Sequence, residues 1–477
     1  MQPVKLIGRE KECERLDSAI SEKTAQLIVV YGRRRIGKTF LIEEYFEGKF
    51  AFRMIGEYGA SKNAQLRNFA NELRIQTGKA IEAPKDWKEA FFELRQYLSE
   101  LPSEEKQVVF FDELPWMDTQ NSRFLAEFEY FWNSWGSRKN NLVFIICGSA
   151  ASWLTDNIEY NKGGLFNRLT CKIYLKPFDL CQVEKYLSSR GINWPRRDIC
   201  ECYMIMGGIP YYLSLIRPEL TYTENIDNIF FKKRAELWDE FGHLYHTLFS
   251  NSEAYIRLVE ALSNKRMGLT RSEIGKMTGL SENGKMTKML SALESSGFIR
   301  VNPFFGNKKK DTLYQLADYY TLFYFRFLKS GSKNDERYWS NNINTPSHYT
   351  WSGLAFEMLC LDHIRQIKKK LEIGGVVSEQ SSWFKRGDKT EKGAQIDLLI
   401  ERKDRVINIC EVKYCNDAFL IDKDYDEELR HKVETFREAS GTKYNLMLTM
   451  ITTYGIKKNM YSGTIRREVV MDDLFES

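Results

Sequence analysis

The chain has 477 residues, too many for one ordinary hydrophobic core, and its length predicts about three domains. Hydrophobic residues make up 43% and charged residues 28%, as in folded soluble proteins. No apolar run approaches the roughly 18 residues that cross a bilayer, and the charged start lacks a signal-peptide core, so no membrane partner is expected. The net charge of +5 permits a polyanionic partner without requiring one. The nine cysteines form no CxxC pair, which argues against a zinc site or disulfide framework and indicates a reducing cytoplasm.

A strand, a glycine-rich loop and a helix follow one another near the N-terminus. Leu27 to Tyr31 form an apolar run typical of a buried parallel strand, and a helical pattern begins at Phe40. The residues between them fit G-x-x-x-x-G-K-[ST]: Gly32, Arg33, Arg34, Arg35, Ile36, Gly37, Lys38 and Thr39. The glycines let backbone N–H groups surround phosphate, while the lysine can reach the β- and γ-phosphates and the threonine hydroxyl can bind Mg²⁺. The pattern therefore predicts a nucleotide site with Mg²⁺.

A second buried strand supports this prediction. Val108 to Phe111 end in Asp112 and Glu113, and the carboxyl ends of parallel strands face the crevice where ligands bind. We expect Asp112 to hold Mg²⁺ with its water shell and Glu113 to orient or activate the attacking water.

Two further polar residues follow in the chain. A third strand, Leu142 to Cys147, leads to Ser149, which either senses the γ-phosphate or caps the next helix. Arg168 either stabilises transition-state charge or forms a surface salt bridge. In the first case it acts within its own chain or in a neighbouring subunit of a homo-oligomer.

Several motifs together resemble those of the archaeal-type P-loop ATPases, which are grouped with the STAND and AAA+-related ATPases. They are "LIGREKECERL" at 6–16, the glycine-rich loop, "FFDELPWM", "GGLFNRL" and "GGIPYYL" at 207–213. The resemblance implies an α/β nucleotide-binding core at 1–175 that takes ATP, followed by a helical lid at 176–248. It further implies that Gly8, Arg9 and Glu10 pack near the adenine and that Arg168 acts on the phosphates. Many members carry a nuclease-like C-terminal domain.

Residues 249–330 have the pattern of a winged helix. Thr270 is a predicted N-cap with Glu273 three residues on, a second helix follows, and two strands flank a basic tip. Five lysines could meet DNA phosphates: Lys285, Lys288, Lys308, Lys309 and Lys310. The alternative is a domain connector. The second helix lacks the Arg, Asn and Gln side chains that read bases, which argues against sequence-specific recognition. The aromatic stretch at 319–328 is expected to be a packing helix, and the polar stretch at 331–347 a linker.

The last predicted domain, 348–477, contains charges within two apolar strands. Asp397 lies on the first strand, and Glu411 and Lys413 lie two apart on the second, so these two face the same side. A preceding helix carries Glu357. Buried charges are costly, so we interpret Asp397, Glu411 and Glu357 as ligands of a Mg²⁺ ion and Lys413 as the group that positions or deprotonates water.

This arrangement resembles the PD-(D/E)XK nuclease superfamily, although Ile396 replaces the proline of that motif. The resemblance implies a metal-dependent nuclease-like domain acting on DNA. Our first hypothesis is an ATP-hydrolysing switch that gates this effector. The alternative is a nucleotide-responsive regulator that binds DNA or protein without cleavage, including a mobile-element or defence protein that waits for a trigger.

Overall fold

The chain divides into two units, Met1–Pro177 and Phe178–Ser477. The computed structural model describes residues 6–149, 153, 166–249, 251–306, 312–329, 335–387 and 392–476. Within these ranges no helix is both long and apolar enough to cross a membrane.

The first unit is built on a parallel sheet. Its elements are α1 (Glu10–Ser21), β1 (Gln26–Tyr31), α2 (Lys38–Tyr45), β2 (Phe52–Ile55), α3 (Lys62–Thr77), α4 (Trp87–Glu100), β3 (Gln107–Asp112), α5 (Phe124–Ser134), β4 (Leu142–Gly148) and β5 (Cys171–Tyr174). The strands lie in the order β2-β3-β4-β1-β5, and every neighbouring pair is parallel. The predicted α/β class is confirmed, and the three predicted strands are β1, β3 and β4.

Aromatic packing fixes this sheet against its helices. β3 and β4 are buried along their whole length, as expected when both faces of a parallel sheet are covered. The Trp87 and Phe124 rings of α4 and α5 lie 4.7 Å apart, and the Phe111 and Phe144 rings of β3 and β4 lie 5.0 Å apart. The carboxyl ends of β1, β3 and β4 are thereby held at one edge of the sheet.

The second unit begins with helices, as predicted for 176–248. They are α6 (Leu180–Ser189), α7 (Arg196–Met206), α8 (Pro210–Ser214), α9 (Tyr222–Ile226), which continues as a π-helical turn (Asp227–Phe231), and α10 (Glu240–Leu248). α7 is buried from Ile199 to Met206. It packs against α6 and later helices of the same unit, which places it at the centre of this unit.

A small subdomain of helices and strands follows. It comprises α11 (Ser252–Ser263), β6 (Leu269–Thr270), α12 (Arg271–Thr278), α13 (Gly284–Ser295), β7 (Ile299–Asn302) and β8 (Leu313–Leu316). The strands form an antiparallel sheet in the order β6-β8-β7. The predicted cap is confirmed: the Thr270 hydroxyl accepts from Glu273 N, and the Glu273 carboxylate accepts from Thr270 N in return.

The segment predicted as a linker is instead packed where it is described. The aromatic stretch before it forms the expected packing helix, α14 (Tyr319–Phe323), which continues as a π-helical turn (Tyr324–Leu328). Within the predicted linker, 331–347, lies α15 (Tyr338–Asn342). Trp339 is fully buried, and its backbone N–H donates to Asp227 Oδ1 at 2.8 Å. The polar composition of 331–347 favours a linker. The hydrogen bond to the buried Asp227 carboxylate and the rings of Phe323 and Phe327 instead hold Trp339 in the core.

The C-terminal elements form a mixed sheet with helices. They are α16 (Pro346–Asp362), α17 (Ile364–Lys370), β9 (Ser378–Lys385), β10 (Ala394–Arg402), β11 (Val406–Lys413), α18 (Lys423–Ser440), β12 (Asn445–Thr452) and β13 (Arg467–Val470). The order is β13-β12-β11-β10-β9, antiparallel from β9 to β11 and parallel from β11 to β13. The predicted succession of helix, strands and helix is confirmed.

Gly208 is required where two backbone segments meet. Its φ of +65° is left-handed, and Phe178 N donates to its carbonyl at 2.8 Å. A Cβ here would lie 2.1 Å from the Phe178 carbonyl oxygen. The "GGIP" motif thus has a packing role at the start of the second unit.

We expect Gly208→Ala to destabilise the second unit more than Gly191→Ala. Both glycines have positive φ, so both alanines carry the left-handed cost of about 1 kcal/mol. A Cβ at Gly191 would meet nothing within 4 Å, so only Gly208→Ala adds a backbone clash, for a total of about 3 kcal/mol. Urea unfolding followed by circular dichroism measures the difference. Equal urea midpoints for the two variants would show that the Phe178 backbone can shift away from the added Cβ without lowering the free energy of unfolding.

Candidate nucleotide site and C-terminal carboxylate cluster

The loop between β1 and α2 has the backbone that its glycines predict. Gly37 has φ +83° and immediately precedes α2, and Gly32 has φ +147°. A Cβ at Gly32 would lie 2.4 Å from the Leu175 carbonyl oxygen, so a larger residue cannot stand there without a shift. Arg35 also has positive φ, at 70°. The loop therefore turns sharply and presents its N–H groups at the N-terminus of α2, as a phosphate site needs.

Lys38, the first residue of α2, is buried against this loop. It is 5% exposed, and its Nζ donates to the carbonyls of Gly32 at 3.3 Å and Arg33 at 2.9 Å. The ammonium is thus satisfied by the loop itself. Ile36 and Arg33 are buried, and Arg34 is half-buried.

The carboxylates after β3 meet the loop as predicted. Thr39 Oγ1 donates to Asp112 Oδ2 at 2.6 Å, across a separation of 73 residues. Glu113 has a left-handed backbone, with φ +46°, which is costly for a residue with a Cβ. Its Oε2 accepts from Ser149 Oγ at 2.9 Å and from Ser149 N at 3.1 Å. The structure therefore brings together Thr39, Asp112, Glu113 and Ser149.

Sequence patterns missed a glycine that Glu113 needs. Gly56 follows β2, donates to the Asp112 carbonyl at 2.9 Å, and would place a Cβ 2.5 Å from the Glu113 carbonyl oxygen. Only a residue without a side chain lets the Glu113 turn lie this close. A glycine directly after a strand is a weak signal, because many turns contain one.

Arg9 ties the N-terminus to the loop. Its Nη1 donates to the Lys176 carbonyl at 2.9 Å, and its Nη2 donates to the Ile36 carbonyl at 3.0 Å. Burial lowers the pKa of Arg9 to about 10 against the pull of Glu12 and Glu10, so it stays charged at neutral pH. Gly8, at φ +70°, donates to Glu10 Oε1. The predicted role of this segment at an adenine stays a prediction.

Arg168 lies apart from this set of contacts. It ends a 3₁₀ turn, Phe166–Arg168, before β5, and it is exposed. It has no hydrogen bond or ion pair with any residue that the structure describes. Its action on phosphates, in cis or in trans, stays a prediction.

In the second unit, β10 and β11 bring Asp397, Glu411 and Lys413 to one cleft, as predicted. Leu398 pairs with Cys410, so Asp397 and Glu411 come next on adjacent strands. Lys413 Nζ lies 3.1 Å from Glu411 Oε1. All three side chains line a cleft of about 540 Å³.

Arg266 completes this cluster and was not predicted. Its guanidinium lies between two acidic side chains, with Nη2 2.6 Å from Asp397 Oδ2 and an ion pair to Glu357. Burial raises the pKa of Glu357 well above its usual range, and Asp397 adds to this. The pKa of Asp397 is also raised, by burial and then by Glu411. Arg266 offsets part of both effects.

Glu411 is held by two lysines and a tyrosine. Lys432 Nζ lies 3.0 Å from Oε2, and Tyr425 OH donates to Oε1 at 2.9 Å. Burial disfavours the charged carboxylate, but the Lys432 and Lys413 ammoniums outweigh it, so the pKa of Glu411 is lowered. Lys432 and Tyr425, both on α18, were not predicted, because an amphipathic helix carries many polar side chains and the sequence does not show which of them contact Glu411.

The cluster has oxygen donors suited to Mg²⁺, but their present arrangement does not fit an ion. Each carboxylate is paired with a protein cation. Among the described residues, no three acidic, histidine or cysteine side chains are placed to hold a metal. The assignment of Glu357, Asp397 and Glu411 as ligands therefore stays a prediction that requires a rearrangement.

Basic residues line this cleft, in addition to those predicted on the second helix and the wing of the middle subdomain. The lining includes Lys265, Lys385, Arg386, Lys392 and His431. Lys285 and Lys288 lie on the exposed face of α13, opposite the buried Met286 and Met289. The other predicted contacts, Lys308, Lys309 and Lys310, lie outside the described residues.

Comparison with known proteins bears on the first of these sites. The family model of the ATPase domain predominantly from Archaea matches residues 6–216. An uncharacterized protein of Methanocaldococcus jannaschii is 23% identical over 414 residues, 86% of this chain and 87% of the relative. An uncharacterized ATP-binding protein of the same organism is 46% identical over 46 residues, 10% of this chain and 78% of that protein.

Two solved structures are also similar. A Walker-type ATPase of Pyrococcus abyssi has a TM-score of 0.48 at 18% identity, covering 67% of this chain and 96% of its own. The ORC2 protein of Aeropyrum pernix has a TM-score of 0.43 at 14% identity, covering 70% and 95%.

The family match contains the whole loop, both carboxylates after β3, Ser149 and Arg168. It runs through the first unit and ends after α8 of the second. Residues 6–216 therefore form an ATPase domain of the family found predominantly in Archaea.

Proposed function

We propose that the protein is an ATP-hydrolysing switch whose C-terminal domain is a nuclease-like effector acting on nucleic acid. The observation that carries the ATPase part is the 2.6 Å bond between Thr39 Oγ1 and Asp112 Oδ2. It joins the loop hydroxyl to the carboxylate at the end of β3, the two oxygen types that would hold Mg²⁺.

Different residues of the site would bind the phosphates, hold Mg²⁺ and orient the attacking water. The loop N–H groups and the N-terminus of α2 would bind the phosphates, and Lys38 would exchange its two carbonyl acceptors for phosphate oxygens. A bound Mg²⁺ would neutralise phosphate charge beside Thr39 and Asp112. Glu113 is held in place by Ser149 and would orient the attacking water. Because Ser149 contacts Glu113, it is suited to report the state of the γ-phosphate.

Lys38→Ala should abolish ATP hydrolysis, with a loss of about 100-fold or more, because it removes the cation at the phosphates. Phosphate release measures the effect. Lys49→Ala is the control, since Lys49 is exposed and pairs with the exposed Glu47. Undiminished hydrolysis in Lys38→Ala would sink the assignment.

Glu113→Gln should separate binding from hydrolysis. The amide oxygen can still accept from Ser149, but it cannot take a proton, so ATP binding should persist while kcat falls by about 100-fold. Equilibrium binding of a fluorescent ATP analogue and phosphate release give the two quantities. Loss of binding in step with kcat would show that Glu113 only maintains the fold of the site.

The middle subdomain is proposed to be a winged helix. Its element order, its β6-β8-β7 sheet and its capped α12 support this fold. Lys285 and Lys288 are exposed on α13 and available to phosphates. At the base of the proposed wing, however, Phe304 and Phe305 contact rings of the C-terminal domain, which favours a connecting role at that end.

The nuclease-like assignment rests on the topology and the cleft. The elements follow in the order α16-β9-β10-β11-α18-β12, and Asp397, Glu411 and Lys413 line one cleft. Basic side chains around the cleft would attract a polyanionic strand, and contacts of this kind dominate nucleic-acid affinity. A phosphodiester backbone is thus the substrate class that this charge distribution favours.

A contact inside the second unit supports coupling of the helices after 177 to this cleft. Glu201 of α7 is 3% exposed and accepts from Tyr414 OH at 2.6 Å. Arg197 of the same helix donates to Asn416. Because Tyr414 directly follows Lys413, a displacement of α7 would reach the end of β11.

Divalent-dependent cleavage of DNA should disappear in both Asp397→Ala and Lys413→Ala. Both variants are assayed on single- and double-stranded DNA with Mg²⁺ or Mn²⁺, with and without ATP. Lys423→Ala serves as control, because Lys423 is an exposed lysine of the same domain that pairs with Glu427. Equal cleavage by wild type and the two site variants would identify a contaminating nuclease.

The second candidate is a nucleotide-responsive regulator that binds nucleic acid without cutting it. The pairing of Arg266 with Glu357 and Asp397 favours it, because the carboxylates are neutralised by the protein. Salt-sensitive DNA binding without cleavage under any metal would establish this candidate in place of the first.

A further inference from the structure

Arg266 fills the space between two predicted metal ligands. It pairs with Glu357 and Asp397, 91 and 131 residues further along the chain. The Glu357 and Asp397 side chains are only 10% and 9% exposed, whereas that of Arg266 is 38% exposed. The guanidinium is therefore the solvent-facing cover of two largely buried carboxylates.

The pairing would compete with a bound divalent ion. Mg²⁺ binds oxygen ligands at about 2.0–2.1 Å in a near-ideal octahedron, and Arg266 contacts both oxygens of Glu357 and Oδ2 of Asp397. A second positive charge beside Arg266 would also be repelled.

Arg266 is fixed to the middle subdomain rather than to the sheet that bears the carboxylates. It lies in a turn closed by the hydrogen bond from Gly268 N to Lys265 O at 3.1 Å. Gln315 Nε2 of β8 donates to the Arg266 carbonyl at 2.8 Å. At Gly268 a Cβ would lie 2.4 Å from the Tyr314 carbonyl oxygen, so the turn sits tightly against β8. A displacement of this subdomain relative to α16 and β10 would therefore carry the guanidinium away from Glu357 and Asp397.

The contacts beside Arg266 suit a reversible closure. The cleft beside Arg266 is lined by both polar and apolar side chains, and Arg386 and Glu273 form an ion pair at 3.0 Å across it. Exposed ion pairs contribute little to stability. Elsewhere the two parts are joined by Phe304 and Phe305, which pack on the C-terminal core, and by the ion pair between Arg300 and Asp362. A local separation at Arg266 can leave these contacts intact.

We propose that Arg266 is a built-in occupant of the C-terminal metal site and holds the effector closed until the middle subdomain moves. The proposal rests on the proposed nuclease-like function. It assigns the turn at 265–268 as the element that must be displaced before a divalent ion can bind.

The test is Mn²⁺ binding to the full-length protein without nucleotide, measured by isothermal titration calorimetry. Arg266→Ala should bind Mn²⁺ at least about tenfold more tightly than wild type, because it frees both carboxylates and removes a like charge. Arg266→Gln is made in parallel as a milder variant. The glutamine side chain is uncharged but can still donate hydrogen bonds to the carboxylates, so this variant is expected to fold even if Arg266→Ala does not. Adding Asp397→Asn to either variant should abolish the gain.

Lys265→Ala is the matched control. It removes a cation from the same turn and cleft, but Lys265 forms no ion pair with Glu357 or Asp397 among the pairs that the structure records. Its Mn²⁺ affinity should stay at the wild-type value. A tenfold gain in Lys265→Ala, or none in Arg266→Ala and Arg266→Gln, would overturn the proposal and leave Arg266 as an ordinary structural ion pair.

Thermal unfolding gives a second readout on the same proteins. Without metal, Arg266→Ala should unfold at a lower temperature than wild type, because two buried carboxylates lose their partner. Mn²⁺ should restore the midpoint in this variant and change it little in wild type. A midpoint that is lowered and insensitive to Mn²⁺ would contradict the proposal.

Failure of this inference and failure of the proposed function give different results. Wild-type protein that cleaves DNA as fast as Arg266→Ala in the absence of nucleotide would overturn the closure and leave the nuclease assignment standing. Tight Mn²⁺ binding by Arg266→Ala without cleavage of any nucleic acid would support the closure and overturn the nuclease assignment.

Discussion

A buried carboxylate must have a partner, and both sites of this protein are organised by that requirement. In the first unit, Asp112 accepts from the Thr39 hydroxyl and Glu113 accepts from Ser149. In the second, Arg266 covers Glu357 and Asp397, and two lysines hold Glu411. In each case another group of the protein pairs with the carboxylate. Such a partner is needed because burying an unpaired charge costs several kcal/mol.

The same logic extends to the cation of the first site. Lys38 rests on two loop carbonyls, so its ammonium is satisfied before any phosphate arrives. Both sites therefore hold themselves in shape by internal pairing. Binding of ATP at the first site, and of a divalent ion at the proposed second site, would exchange partners rather than create them, which would limit the net free energy of binding.

Sequence predicted the features that are local. The glycine-rich loop, the Asp112-Glu113 pair, the Thr270 cap and the two charged strands are each carried by consecutive residues with distinctive types. Arg266 could not be found in this way, because its significance depends on side chains 91 and 131 residues away. The interpretation of 331–347 as a linker missed the packing of Trp339 for a related reason: the polar residues around it describe the chain locally, whereas its backbone N–H bonds to Asp227, 112 residues earlier. Gly56 was missed because a glycine after a strand has many possible causes.

The contact between β7 and β9 has a consequence for the solution behaviour of the protein. β9 is an edge strand, and its Ser382 exchanges backbone hydrogen bonds with Pro303 and Phe305 just beyond β7. This short segment covers part of an edge that could otherwise pair with a strand of another chain. A movement large enough to break these bonds would expose that edge, so a wide opening would favour self-association at high protein concentration. A pivot that keeps the Ser382 bonds would open the cleft and still protect the sheet from aggregation.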